Sequence, residues 1–194
     1  MTRAAFLDRD GLVTALVPDP QSGLPESPNH LSELRLLPGA AAAINALHEG
    51  GYLVVCVTNQ PSAAKEKTTA GELLAIQAQV EARLAPDGAF FDDTEICLHH
   101  PEGSDPALTV TCACRKPAPG MLLAAAARLG IDLAASWMVG DSDTDVLAGQ
   151  RAGCRTLLVE HAASAHRRSS SAAPDGRVED LAAAVRVLLA VRDG

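Results

Sequence analysis

Three short apolar runs each end in a cluster of polar side chains, and this pattern limits the fold more than any other feature of the chain. Ala4-Ala5-Phe6-Leu7 runs into Asp8-Arg9-Asp10-Gly11, Tyr52-Leu53-Val54-Val55-Cys56-Val57 into Thr58-Asn59-Gln60, and Trp137-Met138-Val139 into Gly140-Asp141-Ser142-Asp143-Thr144-Asp145. A run without polar alternation suits a strand buried on both faces, as in a parallel sheet covered by helices. Glu95-Ile96-Cys97-Leu98 and Arg155 to Val159 read as further strands. Helical patterns lie between them. Gly39 to Glu49 places Ala43, Ile44 and Leu47 on one face and stops at Gly50-Gly51. A capping-box pattern at Thr69-Ala70-Gly71-Glu72 precedes the stripe Leu73, Ile76, Val80, Leu84. Pro119 opens a helix that buries Leu122, Ala126 and Leu129, another helix closes at Gly153, and a last one runs from Val178 through Leu181, Val185 and Leu188. Strands alternating with helices predict an α/β fold built on a doubly wound, Rossmann-like parallel sheet, one domain over residues 1–194.

Two stretches fit neither pattern. Leu12 to Pro38 carries five prolines, Pro18, Pro20, Pro25, Pro28 and Pro38, which forbid a continuous helix or central strand. It reads as a flap beside the site that helps to choose the substrate. Ala162 to Gly176, rich in alanine and serine and holding Arg167-Arg168, reads as a mobile loop.

The net charge of −8 comes without a basic block, which argues against duplex nucleic acid or an anionic membrane as the main partner. A small anionic substrate fits if a few cations and a metal line one pocket. The four-residue apolar run after Met1-Thr2-Arg3 is too short for a signal-peptide core, and no stretch is long enough to span a bilayer. The expectation is a cytoplasmic monomer, where five cysteines point to metal or structural thiols rather than disulfides.

The polar clusters carry the chemistry. Asp8 and Asp10 alternate along a strand end and project the same way, where they repel unless a cation or shared proton compensates. Lys116 and Asp141/Asp145 follow other elements at what a parallel sheet makes one edge. Mg²⁺ takes one or two carboxylates with phosphate oxygens and water, and a lysine supplies a point charge for phosphate. The inventory is that of phosphoryl transfer. No glycine-rich phosphate loop is present, so an aspartate nucleophile is the natural route. A second constellation, Cys97-Leu98-His99 and then Cys112-Ala113-Cys114, offers three thiolates and an imidazole, a tetrahedral Zn²⁺ set with no open position and hence structural. His100 is a spare ligand or a loop residue. Cys56 and Cys154 read as core.

Asp8-Arg9-Asp10-Gly11, Thr58-Asn59, Lys116 and Gly140-Asp141 with Asp145 resemble the four motifs of the haloacid dehalogenase superfamily, in order from Asp8 to about Gly153. The resemblance implies Asp8 as nucleophile, forming an aspartyl-phosphate, and Asp10 as the acid that protonates the leaving alkoxide and the base that deprotonates water. It implies Mg²⁺ on Asp8, the Asp10 backbone carbonyl and Asp141, and phosphoryl oxygens on Thr58, Asn59 and Lys116. Asp145 orients the site from behind. Cys-x-His with Cys-x-Cys-Arg-Lys-Pro, without a large cap, is similar to the D-glycero-D-manno-heptose 1,7-bisphosphate phosphatase family. That likeness implies a sugar bisphosphate substrate, removal of its C7 phosphate, a zinc loop at about 97–114 and a substrate contact for Arg115. Histidinol-phosphate phosphatases, the alternative, share the ligand types but have a shorter intervening loop. The chain departs from the family at Pro61-Ser62-Ala63-Ala64-Lys65-Glu66-Lys67, where a Ser-Gly turn and a later Arg-Gly are usual; Lys65 there lacks arginine's bidentate fork. The flap is also longer than the family pattern.

Overall fold

A computed structural model describes residues 2–20, 22–169 and 172–191. In chain order the elements are β1 (Arg3–Leu7), β2 (Val17–Pro18), β3 (Pro25–Glu26), α1 (Ala40–Glu49), β4 (Tyr52–Asn59), α2 (Ala70–Leu84), β5 (Asp93–Cys97), α3 (Gly120–Leu129), β6 (Trp137–Gly140), α4 (Asp143–Ala152), β7 (Arg155–Val159), β8 (Gly176–Val178) and α5 (Leu181–Ala190). Six strands form one sheet in the order β5-β4-β1-β6-β7-β8, every neighbouring pair parallel. The register sets Leu7 beside Cys56 on one side and Val139 on the other, so the residues after β1, β4 and β6 share one sheet edge.

The apolar runs are continuous because both sheet faces are covered. Ala5, Leu7, Val54 and Val139 pack with Ile44 and Leu47 of α1, Leu73, Ile76 and Val80 of α2, and Val185 and Leu188 of α5. Ala4, Phe6, Val55, Val57 and Met138 face the other way onto Met121, Leu122 and Ala125 of α3 and Ala148 of α4. Cys56 and Cys154 are buried, in line with a core role. Between β1 and α1 the described residues of the flap form only the β2–β3 hairpin and a single 3-10 turn, Leu31–Glu33, as regular elements. The segment from β5 to α3 holds turns alone, so neither excursion is a cap domain. Among the described residues no helix is long and apolar enough to cross a membrane.

Four sequence expectations need correction. The Ala/Ser-rich stretch is not irregular throughout: it opens with a 3-10 helix, Ala162–Arg167, and its end, Gly176, begins β8, while residues 170 and 171 lie outside the described residues. Val178 closes β8 rather than opening the last helix, which Asp180 caps instead through a bond from the Ala183 N–H. Thr69 caps α2 by accepting from the Glu72 N–H, but the reciprocal half of the box is missing because the Glu72 carboxylate accepts from Leu31 N–H at 3.1 Å. Leu129 is only half buried, at the edge of its cluster.

Candidate active site

Asp8 leaves the end of β1 and meets Lys116, brought in from the turn before α3. Lys116 Nζ lies 2.8 Å from Asp8 Oδ1, 2.7 Å from Asp145 Oδ1 and 2.7 Å from the Val57 carbonyl, so all three ammonium hydrogens face acceptors. Burial alone would lower the lysine's pKa, but Asp145 and Asp8 more than offset it and drive it up. Asp145 caps the start of α4, its Oδ2 accepting from the Ser142 N–H at 3.1 Å and hydroxyl at 2.6 Å. It therefore braces Lys116 from the start of α4. Asp141 is fully buried and neither of its carboxylate oxygens has a hydrogen-bond partner. Its close approach depends on Gly11: at φ +94° a Cβ there would sit 2.0 Å from Asp141 Oδ2.

These carboxyls are out of their ordinary range. Burial, reinforced by Asp8 and Asp145 and eased by Arg167, pushes Asp141 up to about 8. Burial pushes Asp8 up to about 6 against the pull of Lys116. Asp8, Asp141 and Asp145 each offer an oxygen, all within 4.8 Å of one another. A buried set of converging carboxylates, one of them with neither oxygen hydrogen-bonded, fits a hard divalent cation.

Asp10 stands apart. Its carboxylate takes two hydrogen bonds from Arg9, at 3.0 and 2.9 Å, one from Thr14 at 2.6 Å and one from Gln60 at 2.5 Å. Burial would raise this carboxyl, but Arg9 and the surrounding donors outweigh it and hold it below the usual range. Asp10's side chain is thus not among the converging carboxylates; its backbone carbonyl instead faces Arg167.

The residues expected to hold phosphoryl oxygens are partly engaged with one another. The Asn59 amide pairs with the Lys116 backbone, donating to its carbonyl at 2.9 Å and accepting from its N–H at 3.0 Å. Thr58 is buried and accepts from Gln60 at 2.8 Å. A cleft of about 270 Å³ opens over Asp8, Asp10, Asn59 and Lys116. Arg115 and Arg167 stand in its walls, with Glu26 and Ser27 of the flap. Lys67 is tied to Asp19 of the flap at 2.6 Å.

Cys97, at the end of β5, comes together with His99, Cys112 and Cys114, their donor atoms all within 4.8 Å. The Cys114 sulfur lies 3.2 Å from Cys97, 3.1 Å from Cys112 and 3.4 Å from His99 Nδ1, too far for disulfides. Burial pushes the Cys97 and Cys114 thiols up, whereas at Cys112 hydrogen bonds from Cys114 and the Arg115 backbone outweigh burial and bring it down to about 7, so that one of the three favours the thiolate in the absence of an ion. The donor set fits Zn²⁺. His100 lies outside it, accepting from the Glu102 N–H at 3.1 Å.

Sequence reasoning left three residues of the site without a role, Arg167 in the cleft wall and the fully buried Arg9 and Gln60. Arg9 entered only as part of the Asp8-Arg9-Asp10-Gly11 run; Gln60 was only one of three polar groups ending β4; Arg167 lay in the stretch read as a mobile loop. Nothing local marks any of the three, since their partners are distant in sequence or hidden by the fold.

A parallel sheet with this cluster at its edge defines a phosphatase of the haloacid dehalogenase class, and the model of the HAD-hydrolase-like family matches residues 113–184. The chain is 39% identical over 150 residues to the D-glycero-beta-D-manno-heptose-1,7-bisphosphate 7-phosphatase of Rhodopseudomonas palustris, covering 77% of this chain and 79% of that one. It is 35% identical over 179 residues to the Yersinia pestis protein of the same name, covering 92% and 91%. Among solved structures, D,D-heptose 1,7-bisphosphate phosphatase from B. bronchiseptica, complexed with magnesium and phosphate, superposes with a TM-score of 0.79 at 34% identity over 97% of this chain and 98% of that one. A HAD-like phosphatase from Mesorhizobium loti gives 0.79 at 31% identity, covering 100% and 89%. The chain belongs to the D-glycero-beta-D-manno-heptose-1,7-bisphosphate 7-phosphatase family.

Proposed function

We propose that this chain is a Mg²⁺-dependent phosphoric monoester hydrolase that removes the C7 phosphate of D-glycero-D-manno-heptose 1,7-bisphosphate through an aspartyl-phosphate on Asp8. The observation that carries the reading is the buried set of Asp8, Lys116, Asp145 and Asp141 beneath the cleft, in a chain whose relatives bear that name. Asp8 lines the cleft and attacks phosphorus as the sugar oxygen leaves. Lys116 fixes its orientation and opposes the effect of burial on its charge. Asp10, when protonated, gives its proton to the departing alkoxide. The ionised form, which Arg9, Thr14 and Gln60 favour, then takes a proton from the water that hydrolyses the intermediate, and Asp8 is released as the carboxylate. Mg²⁺ held by Asp8, the Asp10 carbonyl and Asp141 supplies charge neutralisation at the phosphoryl oxygens when bound. Thr58 and Asn59 take those oxygens, with Lys116 beside them as a point charge whose own hydrogens are turned to Asp8, Asp145 and the Val57 carbonyl; Asn59 keeps one amide hydrogen beyond its pair with Lys116. Arg115 is assigned the distal phosphate. Zn²⁺ on Cys97, His99, Cys112 and Cys114 holds the loop that carries Arg115 and Lys116. The enzyme works as a cytoplasmic monomer on this reading.

The test is a substrate panel, both anomers of the heptose bisphosphate against histidinol phosphate and a generic ester, with and without Mg²⁺. The expected result is Mg²⁺-dependent release of the C7 phosphate with a preference for a heptose bisphosphate. Asp8→Asn should show no turnover while melting as the parent does, since a neutral amide is a poor nucleophile. A preference for histidinol phosphate would overturn the substrate assignment, and near-normal turnover by Asp8→Asn the mechanism.

A further inference from the structure

Arg167 has no part in the mechanism above, yet it stands in the wall of the cleft beside the carboxylates. It closes the 3-10 helix that follows β7. Its neighbour Arg168 ties that helix down, donating to Ser164 Oγ at 2.8 Å, to the Asp141 carbonyl at 3.3 Å and to the His161 carbonyl at 3.0 Å. Arg167 itself is held loosely. Its Nη1 lies 3.4 Å from the Asp10 carbonyl and 3.8 Å from Asp141 Oδ1, and its Nη2 3.5 Å from Glu26 Oε2. Charge-assisted hydrogen bonds run at about 2.7–2.9 Å, so these donors are placed but weakly engaged.

The charges around the site show what such a group is for. When all are ionised, the buried Asp8, Asp10, Asp141 and Asp145 bring four negative charges, and the buried Arg9 and Lys116 return two; Glu26, solvated at the rim, adds a fifth that meets Arg167 only at 3.5 Å. A divalent cation cancels the buried remainder and no more. A phosphate ester near its dianionic form would then meet a site with no net attraction for it. Of the described cations lining the cleft, Lys116 has spent its donors on Asp8, Asp145 and the Val57 carbonyl. Arg115 lies against the cysteine cluster and donates to the His99 carbonyl at 3.2 Å; three thiolates around a divalent ion leave one negative charge, which Arg115 matches. Arg167, whose ion-pair partners Glu26 and Asp141 stand at 3.5 and 3.8 Å, is the least tightly engaged of the three.

We propose that Arg167 binds the transferred phosphoryl group and supplies the positive charge that draws a phosphate anion into the cation-loaded site, an inference that rests on the phosphatase reading. Its planar fork spans two phosphoryl oxygens, which a glutamine does not replace. The competing role is mechanical, with Arg167 merely bracing Asp141.

Calorimetric titration separates the two. Inorganic phosphate is titrated into protein saturated with Mg²⁺, and Mg²⁺ alone into protein without phosphate, for the parent, Arg167→Gln and Arg167→Lys. Arg167→Gln should weaken phosphate about 10- to 100-fold, the loss expected for charge-assisted hydrogen bonds, and Arg167→Lys should recover part of it. Mg²⁺ should bind the glutamine variant as tightly as the parent or more so, because a neutral side chain beside Asp141 no longer repels the ion. A bracing role would instead weaken Mg²⁺ and phosphate together, and that result would overturn the proposal. Should the glutamine variant not fold, Arg167→Met, which keeps length and packing without charge, is read in the same way. A parent that hydrolyses no phosphate ester with Mg²⁺ would overturn the phosphatase reading and this inference with it. An active parent beside a glutamine variant with unchanged phosphate affinity would overturn this inference alone.

Discussion

Arg9 is the residue at which sequence and fold differ most. Between Asp8 and Asp10 it looks like a surface cation, yet it has no exposed area and is the largest of the fully buried side chains. It forks onto its own neighbour, Nε and Nη2 each meeting an Asp10 oxygen, and its Nη1 reaches Gln77 of α2 at 3.4 Å. A buried pair of this kind gains little over an apolar substitute of the same shape, but losing one partner strands the other. Arg9→Met should therefore cost about 3–5 kcal/mol in urea unfolding at neutral pH. Adding Asp10→Asn should return part of that loss, because it removes the stranded charge. The pH dependence has a definite sign. Asp10's carboxyl is held below its ordinary value, so the pair's contribution is present above about pH 4 and fades as acid protonates the carboxylate. A double variant no more stable than Arg9→Met alone would show that Asp10 is not what the arginine neutralises.

At the scale of elements, the loop at 61–67 joins the two excursions from the sheet. The Ala64 carbonyl accepts from the Ser104 and Asp105 N–H groups of the zinc loop at 2.7 and 3.0 Å, while Lys67 grips Asp19 of the flap. The zinc loop has little core of its own, so the cysteine cluster has to hold it. Elemental analysis of protein prepared without chelators should find about one Zn²⁺ per chain, and Cys112→Ser should lower that content. Amide exchange in the variant should quicken across 98–116 and leave β1 and β6 protected. A zinc-free preparation with normal melting and activity would refute the structural role. The central strands and most helices were legible because burial on two faces and helical periodicity are local signals. β8 was not: Gly176-Arg177-Val178 has one apolar residue and no period, and only pairing with β7 makes it a strand. The carboxylates, Lys116 and the cysteines were legible because they fall just past strand ends or at ligand spacing. Gln60 and Arg167 were not, since a donor to Asp10 from 50 residues away, or a guanidinium 157 residues from the carbonyl it meets, leaves no mark in composition. The missing half of the box at Thr69 has the same origin, a long-range acceptor role for Glu72.

For the whole molecule, the site is an electrostatic load on the fold that a divalent cation relieves. Burial first, and neighbouring carboxylates next, raise Asp141 to about 8, and burial opposed by Lys116 raises Asp8 to about 6, both from an ordinary 3.8. A carboxyl raised on folding binds its proton more tightly in the native state. Its contribution is therefore complete below about pH 4 and is lost as the pH climbs through the folded value. A tenfold gain in proton affinity corresponds to about 1.4 kcal/mol, so ionising both groups in the ion-free protein costs several kcal/mol. A cation that binds carboxylates must displace these protons, and its apparent affinity then rises with pH until they are gone. Protein dialysed free of Mg²⁺, without chelator so that the cysteine cluster is left alone, should melt at progressively lower temperature from about pH 5.5 to about 8.5. Saturating Mg²⁺ should raise the melting temperature little at the acid end of that range and most at the alkaline end. Asp141→Asn should flatten both trends, because an amide has no proton to lose and burial no longer penalises a charge there. The check is a set of melting curves at three pH values, with and without Mg²⁺, for the parent and the variant. A Mg²⁺ increment that stays constant across the range would mean that the carboxylates are already ionised before the cation arrives, with Lys116 and Arg167 holding their charge in its place.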